Sequence, residues 1–279
     1  VQIPYEGGTM PGWLFRPGGA TTVRPTLVVV NGSDGPRSGA WAVSGGAAVK
    51  RGYNVLLFDG PGQQSMLFDR NVPFRPDWEH VLGPVYDFVS VQPAIDPTRI
   101  ALYGWSQGGY WVPRALTVDH RYCAAIADPG VVDVSTSWTS QIPGPLLAMY
   151  EKGEAEKFDK DMALGMKLAA ETARTWAFRA RPYGAQGYAA TLDAVRQYST
   201  AQTAAAITTP LLITAPEHEQ FWPGQAQQLG DLTTQVSTVL PFTAAEGADL
   251  HCEPLARSVA AQRMFDWLDD RVRDSPRNA

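Results

Sequence analysis

The residues in this chain best spaced for chemistry are Gly104-Trp105-Ser106-Gln107-Gly108, with Gly109 following. A serine bracketed by glycines fits a strand-to-helix turn so tight that the serine takes strained dihedrals and larger neighbours would collide. A helix opening at that turn aims backbone N–H groups at the serine, which favours developing negative charge. The chemistry this suits is nucleophilic attack by the Ser106 hydroxyl on a carbonyl. A glycine-rich turn with a passenger serine would share the pentapeptide. Context separates the two, because an apolar run, Ile100–Trp105, leads straight into Ser106 and a helical pattern follows to about Asp119.

A serine nucleophile needs a base, and the base needs an acid to orient it. There are four histidines: His80, His120, His218 and His251. His80 falls within a predicted helix and His120 at the end of the helix after the serine, positions that suit the surface or a cap. His251 lies in Glu246–Glu253, a loop between the last predicted strand and the last helix, which keeps the chain order serine, acid, histidine. The loop Pro216-Glu217-His218-Glu219-Gln220 holds no aspartate, so a glutamate must serve there. Glu219 and Glu217 are both candidates, and Asp128 and Asp133 after the preceding strand are a further location.

The tetrahedral oxygen needs donors as well. One is the backbone N–H of Gln107; the other is that of Ser33, in the loop Asn31-Gly32-Ser33-Asp34-Gly35, with Asp34 beside it as a substrate contact. This loop lacks the glycine spacing of a phosphate-binding turn. Aromatic residues gather near these positions. Trp105, Tyr110, Trp138, Trp176, Phe221 and Trp222 are candidate contacts for a flat or aromatic substrate, weighed against plain packing in core and cap. Trp111 and Phe178 belong to the same cluster.

Positioning such a set calls for strands alternating with helices. Residues 1–16 read as a hairpin with a turn at Gly7-Gly8. Thr26–Asn31, Tyr53–Asp59, Ile100–Trp105 and Cys123–Asp128 read as strands, with helices over Gly39–Arg51 and Asp77–Val91 between them. Unbroken hydrophobicity in these strands predicts burial on both faces, as in a parallel sheet. From Ser135 to Ala206 only helical stretches appear, such as Glu154–Phe178 and Ala185–Tyr198. Alternation resumes with a strand at Pro210–Ala215, a helix at Gly224–Asp231, a strand at Ser237–Phe242 and a helix at Pro254–Val272. The expected organisation is a core of 1–134 and 207–279 with a helical cap, 135–206, inserted at the edge where ligands sit. Pro113, inside the helix after the serine, should kink it or confine its regular bonding to the first turns.

The chain has 279 residues, 44% hydrophobic and 18% charged, with a formal net charge of −5. A mildly acidic chain without a basic run argues against nucleic acid as a partner. No apolar run approaches the roughly 20 residues of a membrane-spanning helix, so a soluble protein with no membrane partner is expected. The two cysteines, Cys123 and Cys252, lack metal-ligand spacing and form no disulfide framework, which favours a cytoplasmic location and buried, thiol-bearing roles. The first residues, Val1–Tyr5, have no signal-peptide pattern.

The motifs already named, with Phe58-Asp59-Gly60-Pro61-Gly62-Gln63 and Gly247-Ala248-Asp249-Leu250-His251, resemble the α/β-hydrolase superfamily. Within it they are similar to the branch holding 2,6-dihydroxypseudooxynicotine hydrolase and the fungal polyketide-shortening hydrolases. The resemblance implies the α/β-hydrolase fold, a mostly parallel central sheet flanked by helices with a helical cap, and no cofactor or metal. It also implies a Ser-His-acid triad cleaving a carboxylic ester, or a carbon–carbon bond beside a ketone, in a small aromatic or polyketide-like molecule. Many relatives place the acid four residues before a proline opening the next segment, which selects Glu219 ahead of Pro223. Gln64 stands where such sequences carry a second glycine, and glutamate stands where aspartate is usual. Members also carry a helical N-terminal segment that this chain lacks, so part of a lid or of a homodimer surface is expected to be missing. Acyl transfer on the same triad, and a catalytically silent ligand-binding module, are the competing functions.

Overall fold

The computed structural model describes residues 1–274; residues 275–279, the end of the segment assigned to the second part of the core, lie outside the described residues. Eight strands form one sheet: β1 (Gln2–Tyr5), β2 (Gly8–Phe15), β3 (Arg24–Val30), β4 (Asn54–Phe58), β5 (Ile95–Trp105), β6 (Ala124–Asp128), β7 (Leu211–Pro216) and β8 (Ser237–Phe242). Their spatial order is β1-β2-β4-β3-β5-β6-β7-β8. The β1–β2 and β2–β4 pairs are antiparallel, and every pair from β4 to β8 is parallel.

Side-chain alternation along the strands explains why these runs are apolar without interruption. Leu27 and Val29 of β3 join one core cluster, with Val55, Leu57, Tyr103, Phe265 and Leu268. Val28 and Val30 join the other, with Leu56, Phe58, Leu102, Trp78 and Trp111. A strand covered on both faces must be hydrophobic at every position, since successive residues point opposite ways. The helices Gly46–Lys50 and Arg257–Asp274 lie on the first face, and Glu79–Ser90 and Gly108–Leu116 on the second.

Chain direction reverses its march across the sheet between β3 and β5: β4 lies on one side of β3 and β5 on the other. The loops leaving the carboxyl ends of β3 and β5 therefore diverge, and the crevice between them is where open α/β sheets bind ligands. Asn31 follows β3 and Ser106 follows β5, so both fall at this switch point.

Three local expectations are corrected. The opening hairpin turns at Glu6-Gly7, not Gly7-Gly8: Tyr5 pairs with Gly8, and Glu6 (φ 44°) and Gly7 (φ 76°) take the two left-handed positions a two-residue turn of this kind requires. The stretch read as one helix, Glu154–Phe178, is two helices, Ala155–Leu168 and Ala170–Ala180, interrupted where Ala169 leaves helical geometry at φ −130° and ψ 74°. The helix expected over Asp77–Val91 runs Glu79–Ser90; Asp77 stands before it, its carboxylate held by the Arg75 guanidinium at 2.8 Å.

Between β6 and β7 the regular elements among the described residues are helices, from Thr136–Thr139 to Tyr188–Val195, apart from short 3-10 turns and an isolated bridge between Asp133 and Ser199. Trp138, Phe158 and Leu192 carry this region into the same core cluster as Trp111. Among the described residues no helix is long and apolar enough to cross a membrane.

Candidate active site

The turn after β5 is built by what its glycines exclude. A Cβ on Gly104 would sit 2.2 Å from the Gly108 carbonyl oxygen, and one on Gly109 would sit 1.8 Å from that of Pro129. The turn closes this tightly only without side chains, and it leaves Ser106 at φ 57°, a left-handed conformation costly for a non-glycine residue. The Ser106 N–H donates to the Asp128 carbonyl at 2.6 Å, fixing the strained residue to β6. Gly32 answers it across the crevice: a Cβ there would lie 2.9 Å from the Ser106 Cβ. Pro113 is accommodated without a wasted acceptor. The Gly109 carbonyl that its missing N–H would have met accepts the Val131 N–H at 3.3 Å instead.

From Ser106 a continuous chain of polar contacts runs inward. Its Oγ lies 2.9 Å from His251 Nε2. On the far side of the ring, His251 Nδ1 lies 2.9 Å from each carboxylate oxygen of Glu219. With a carboxylate as acceptor, Nδ1 carries the ring proton, which leaves the Nε2 lone pair facing the serine hydroxyl. Glu219 is held in turn by the backbone N–H groups of Phe221 and Trp222, at 2.9 and 3.2 Å from its Oε1. The side chains of His251 and Glu219 are only 14% and 6% exposed, so their interaction is little screened. Gln220 Oε1 accepts the His251 backbone N–H at 3.0 Å, and the rings of Phe221 and Trp222 pack against the imidazole.

The other acid candidates are engaged elsewhere. Glu217 is exposed and accepts the Ala244 N–H at 2.9 Å. Asp133 accepts the Ser135 N–H and hydroxyl. Asp128 is buried beneath the turn, taking the hydroxyls of Tyr103 and, at 2.8 Å, Thr214. His80 and His120 are exposed, and His218 is an exposed partner of Asp249 at 2.8 Å.

Ser33 and Gln107 both line a cavity of about 420 Å³ that also takes in Ser106 and His251. Among the described residues neither of their amides donates to a protein acceptor, so both are available to an incoming oxygen. The loop carrying Ser33 is braced by two buried amides. The Asn31 side chain donates to the Gly35 carbonyl. Gln63 Nε2 donates to the Asn31 and Gly32 carbonyls at 2.8 and 3.2 Å while its Oε1 takes the Gly60 N–H at 2.8 Å. That bracket gives the Asp59–Gln63 motif a physical purpose. Gln64 follows it at φ 26°, the region that favours glycine, and donates to the Asp34 carbonyl at 2.7 Å.

Of the candidate substrate contacts, Asp34, Trp105, Trp138, Phe221 and Trp222 line the cavity. Tyr110 and Trp176 do not. Tyr110 is fully buried, its ring 5.6 Å from that of Tyr198 and its hydroxyl on the Pro76 carbonyl at 3.0 Å. Trp176 stands behind Trp138, edge-on at 5.0 Å. Sequence reasoning missed Arg179, Tyr183 and Arg257, which do line the cavity. The signal available for Arg179 was its position directly after Phe178 in the aromatic cluster.

Neither Cys252 nor Cys123 forms a disulfide among the described residues, and Cys252 is buried beside the site with its thiol on the Asp128 carbonyl at 3.3 Å. Next to it Glu253 is buried with its carboxyl against that of Asp128; burial and this neighbour push it up to about 10. A folded-state value above the unfolded 4.5 means the folded chain keeps a proton that the unfolded chain releases. Stability from this group is full below that lower value and falls as pH climbs toward the upper one, by at most about 1.4 kcal/mol per pH unit. Glu253→Gln keeps the size of the side chain and removes the linkage. Urea denaturation should show the variant gaining on the parent between pH 6 and pH 8.5; a difference that does not change with pH would mean Glu253 is already ionised.

Comparison with known proteins agrees with the class this topology defines, the α/β-hydrolase fold. The chain belongs to the alpha/beta hydrolase family, whose model matches residues 27–263. It is 31% identical over 298 residues to the alpha/beta hydrolase psoB of Aspergillus fumigatus, an alignment covering 97% of this chain and 66% of that protein. It is 30% identical over 302 residues to the hydrolase acrC of Aspergillus aculeatus, covering 97% and 69%. The chain thus spans about two thirds of the length of these relatives. Among solved structures, 2,6-dihydroxy-pseudo-oxynicotine hydrolase superposes with a TM-score of 0.71 at 19% identity, over 98% of this chain and 67% of that one.

Proposed function

We propose that this chain is a serine hydrolase in which Ser106 attacks a carbonyl carbon and forms an acyl-enzyme. His251 Nε2 takes the serine proton and hands it to the leaving group, then draws a proton from the water that attacks the acyl carbon and returns it to the departing Ser106 Oγ. Glu219 holds the ring in the tautomer that leaves Nε2 free and offsets the charge of the imidazolium. The amides of Gln107 and Ser33 stabilise the oxyanion. The observation carrying this reading is the unbroken relay from Ser106 to Glu219 in steps of 2.9 Å, opening on the cavity at the switch point.

The substrate is a small molecule with an ester, or a carbon–carbon bond beside a ketone, since both present a carbonyl and expel a leaving group that His251 can protonate. The aromatic lining suits a flat acyl or leaving group. Residues 135–206 act as the cap: Trp138, Phe178, Arg179 and Tyr183 from this segment line the cavity opposite the turn. A fluorophosphonate probe, which traps a serine by the same attack, tests the reading. Stoichiometric labelling mapped to Ser106 by peptide mass spectrometry is expected. Absence of label, or label on another serine, would remove the nucleophile.

A further inference from the structure

We propose that the substrate carries a carboxylate, set apart from its reacting carbonyl, and that Arg179 of the cap binds it. Arg179 lines the cavity that holds Ser106 and His251. Its guanidinium lies 5.0 Å from the Trp138 ring centroid and 6.0 Å from that of Phe221. Among the described residues no carboxylate comes within 4 Å of it, although thirteen other cations or histidines here have one; its one hydrogen bond is a long contact to Ser137 Oγ at 3.5 Å.

Arginine stays protonated, so a half-buried guanidinium with no carboxylate in contact costs free energy that packing against rings offsets only in part. Burial depresses the proton affinity of this group, and the favourable influence of Asp34 is the smallest of those acting on it. A planar cation seated against aromatic faces keeps its N–H groups for a ligand, and a carboxylate matches them two at a time. The other cavity arginine, Arg257, lies 5.8 Å over Trp105 near Glu253. It adds positive field without the same enclosure by two rings. A carboxylate on Arg179 would point the rest of the molecule along the aromatic wall to Ser106.

The catalytic arm of the test rests on the serine-hydrolase reading; the binding arm does not. In the first arm, Ser106→Ala protein is titrated by calorimetry with 2-naphthylacetate and with the uncharged 2-naphthylacetamide. The carboxylate should bind at least about tenfold more tightly, a difference that Arg179→Met abolishes, Arg179→Lys keeps in part and Arg257→Met leaves in place. Equal affinity for the two ligands, or a preference that follows Arg257, overturns the proposal, and the first of these comparisons needs no arginine variant to fold. In the second arm, the 4-nitrophenyl half-ester of glutaric acid is compared with its methyl-capped diester. The ratio of their kcat/KM values should be at least about ten and drop to near one in Arg179→Met. Hydrolysis of both esters without preference overturns the carboxylate subsite and leaves the hydrolase standing. Selective carboxylate binding with neither ester hydrolysed does the reverse.

Discussion

Ser106→Ala is expected to lower kcat on an activated ester by at least about 10,000-fold while the protein stays folded. The effect is large because the Oγ is the atom that bonds to the substrate, and among the described residues no other hydroxyl sits 2.9 Å from His251 Nε2. What should survive is the weak acceleration that the oxyanion donors and the cavity supply by themselves. The structural cost is small. Alanine can occupy the same backbone position, φ 57°, with the same Cβ against Gly32 and the same N–H to the Asp128 carbonyl. Stability should change by less than about 1 kcal/mol. Single-turnover kinetics and a thermal melt on the same preparation check both halves. Activity near the parental level would move the nucleophile elsewhere, and a melt lowered by many degrees would make the loss a folding effect.

What could be read in the chain and what could not follow from how local each signal is. The serine turn was legible because steric exclusion is local: glycines at 104, 108 and 109 are demanded by carbonyl oxygens within a few ångströms, and the pentapeptide carries that demand directly. The strands were legible because burial on both faces leaves unbroken apolar runs. His251 was legible from its loop. By contrast Tyr110 stands close to Ser106 in sequence and not in the cavity: four residues after the serine, it is buried against Tyr198 with its hydroxyl on the Pro76 carbonyl. Trp176 and Trp138 look alike in sequence, and only tertiary packing decides that one lines the cavity and the other stands behind it. Glu253 was silent for the same reason. Its partner, Asp128, is on a distant strand, and nothing in Cys252-Glu253-Pro254 announces a buried acid pair. The helix break at Ala169 was unreadable because Lys167-Leu168-Ala169-Ala170 contains only good helix formers.

The choice of acid is the point at which sequence left two neighbours open, and their variants should part company sharply. Glu219→Gln is expected to lower kcat by about 100- to 10,000-fold. One oxygen of Glu219 already accepts the N–H groups of Phe221 and Trp222. Those two donors will hold the oxygen of a glutamine amide in the same place, so its NH2 must occupy the position of Oε2, 2.9 Å from His251 Nδ1. A donor there pulls toward the tautomer with the proton on Nε2, which cannot take a proton from Ser106, and competes with the amide oxygen at the Oε1 place, also 2.9 Å from Nδ1; in either tautomer the negative charge that balances the imidazolium is lost. The damage is thus electronic and tautomeric, with volume and burial unchanged. It should appear in kcat with little change in KM, and fluorophosphonate labelling should slow in parallel. Glu217→Gln removes only a charge from an exposed side chain that accepts the Ala244 N–H, a bond the amide oxygen can keep. Its kcat should stay within about threefold of the parent, as for an ordinary surface change. Comparable losses in the two variants, or the larger loss at Glu217, would mean that the carboxylate serving His251 during turnover is not Glu219.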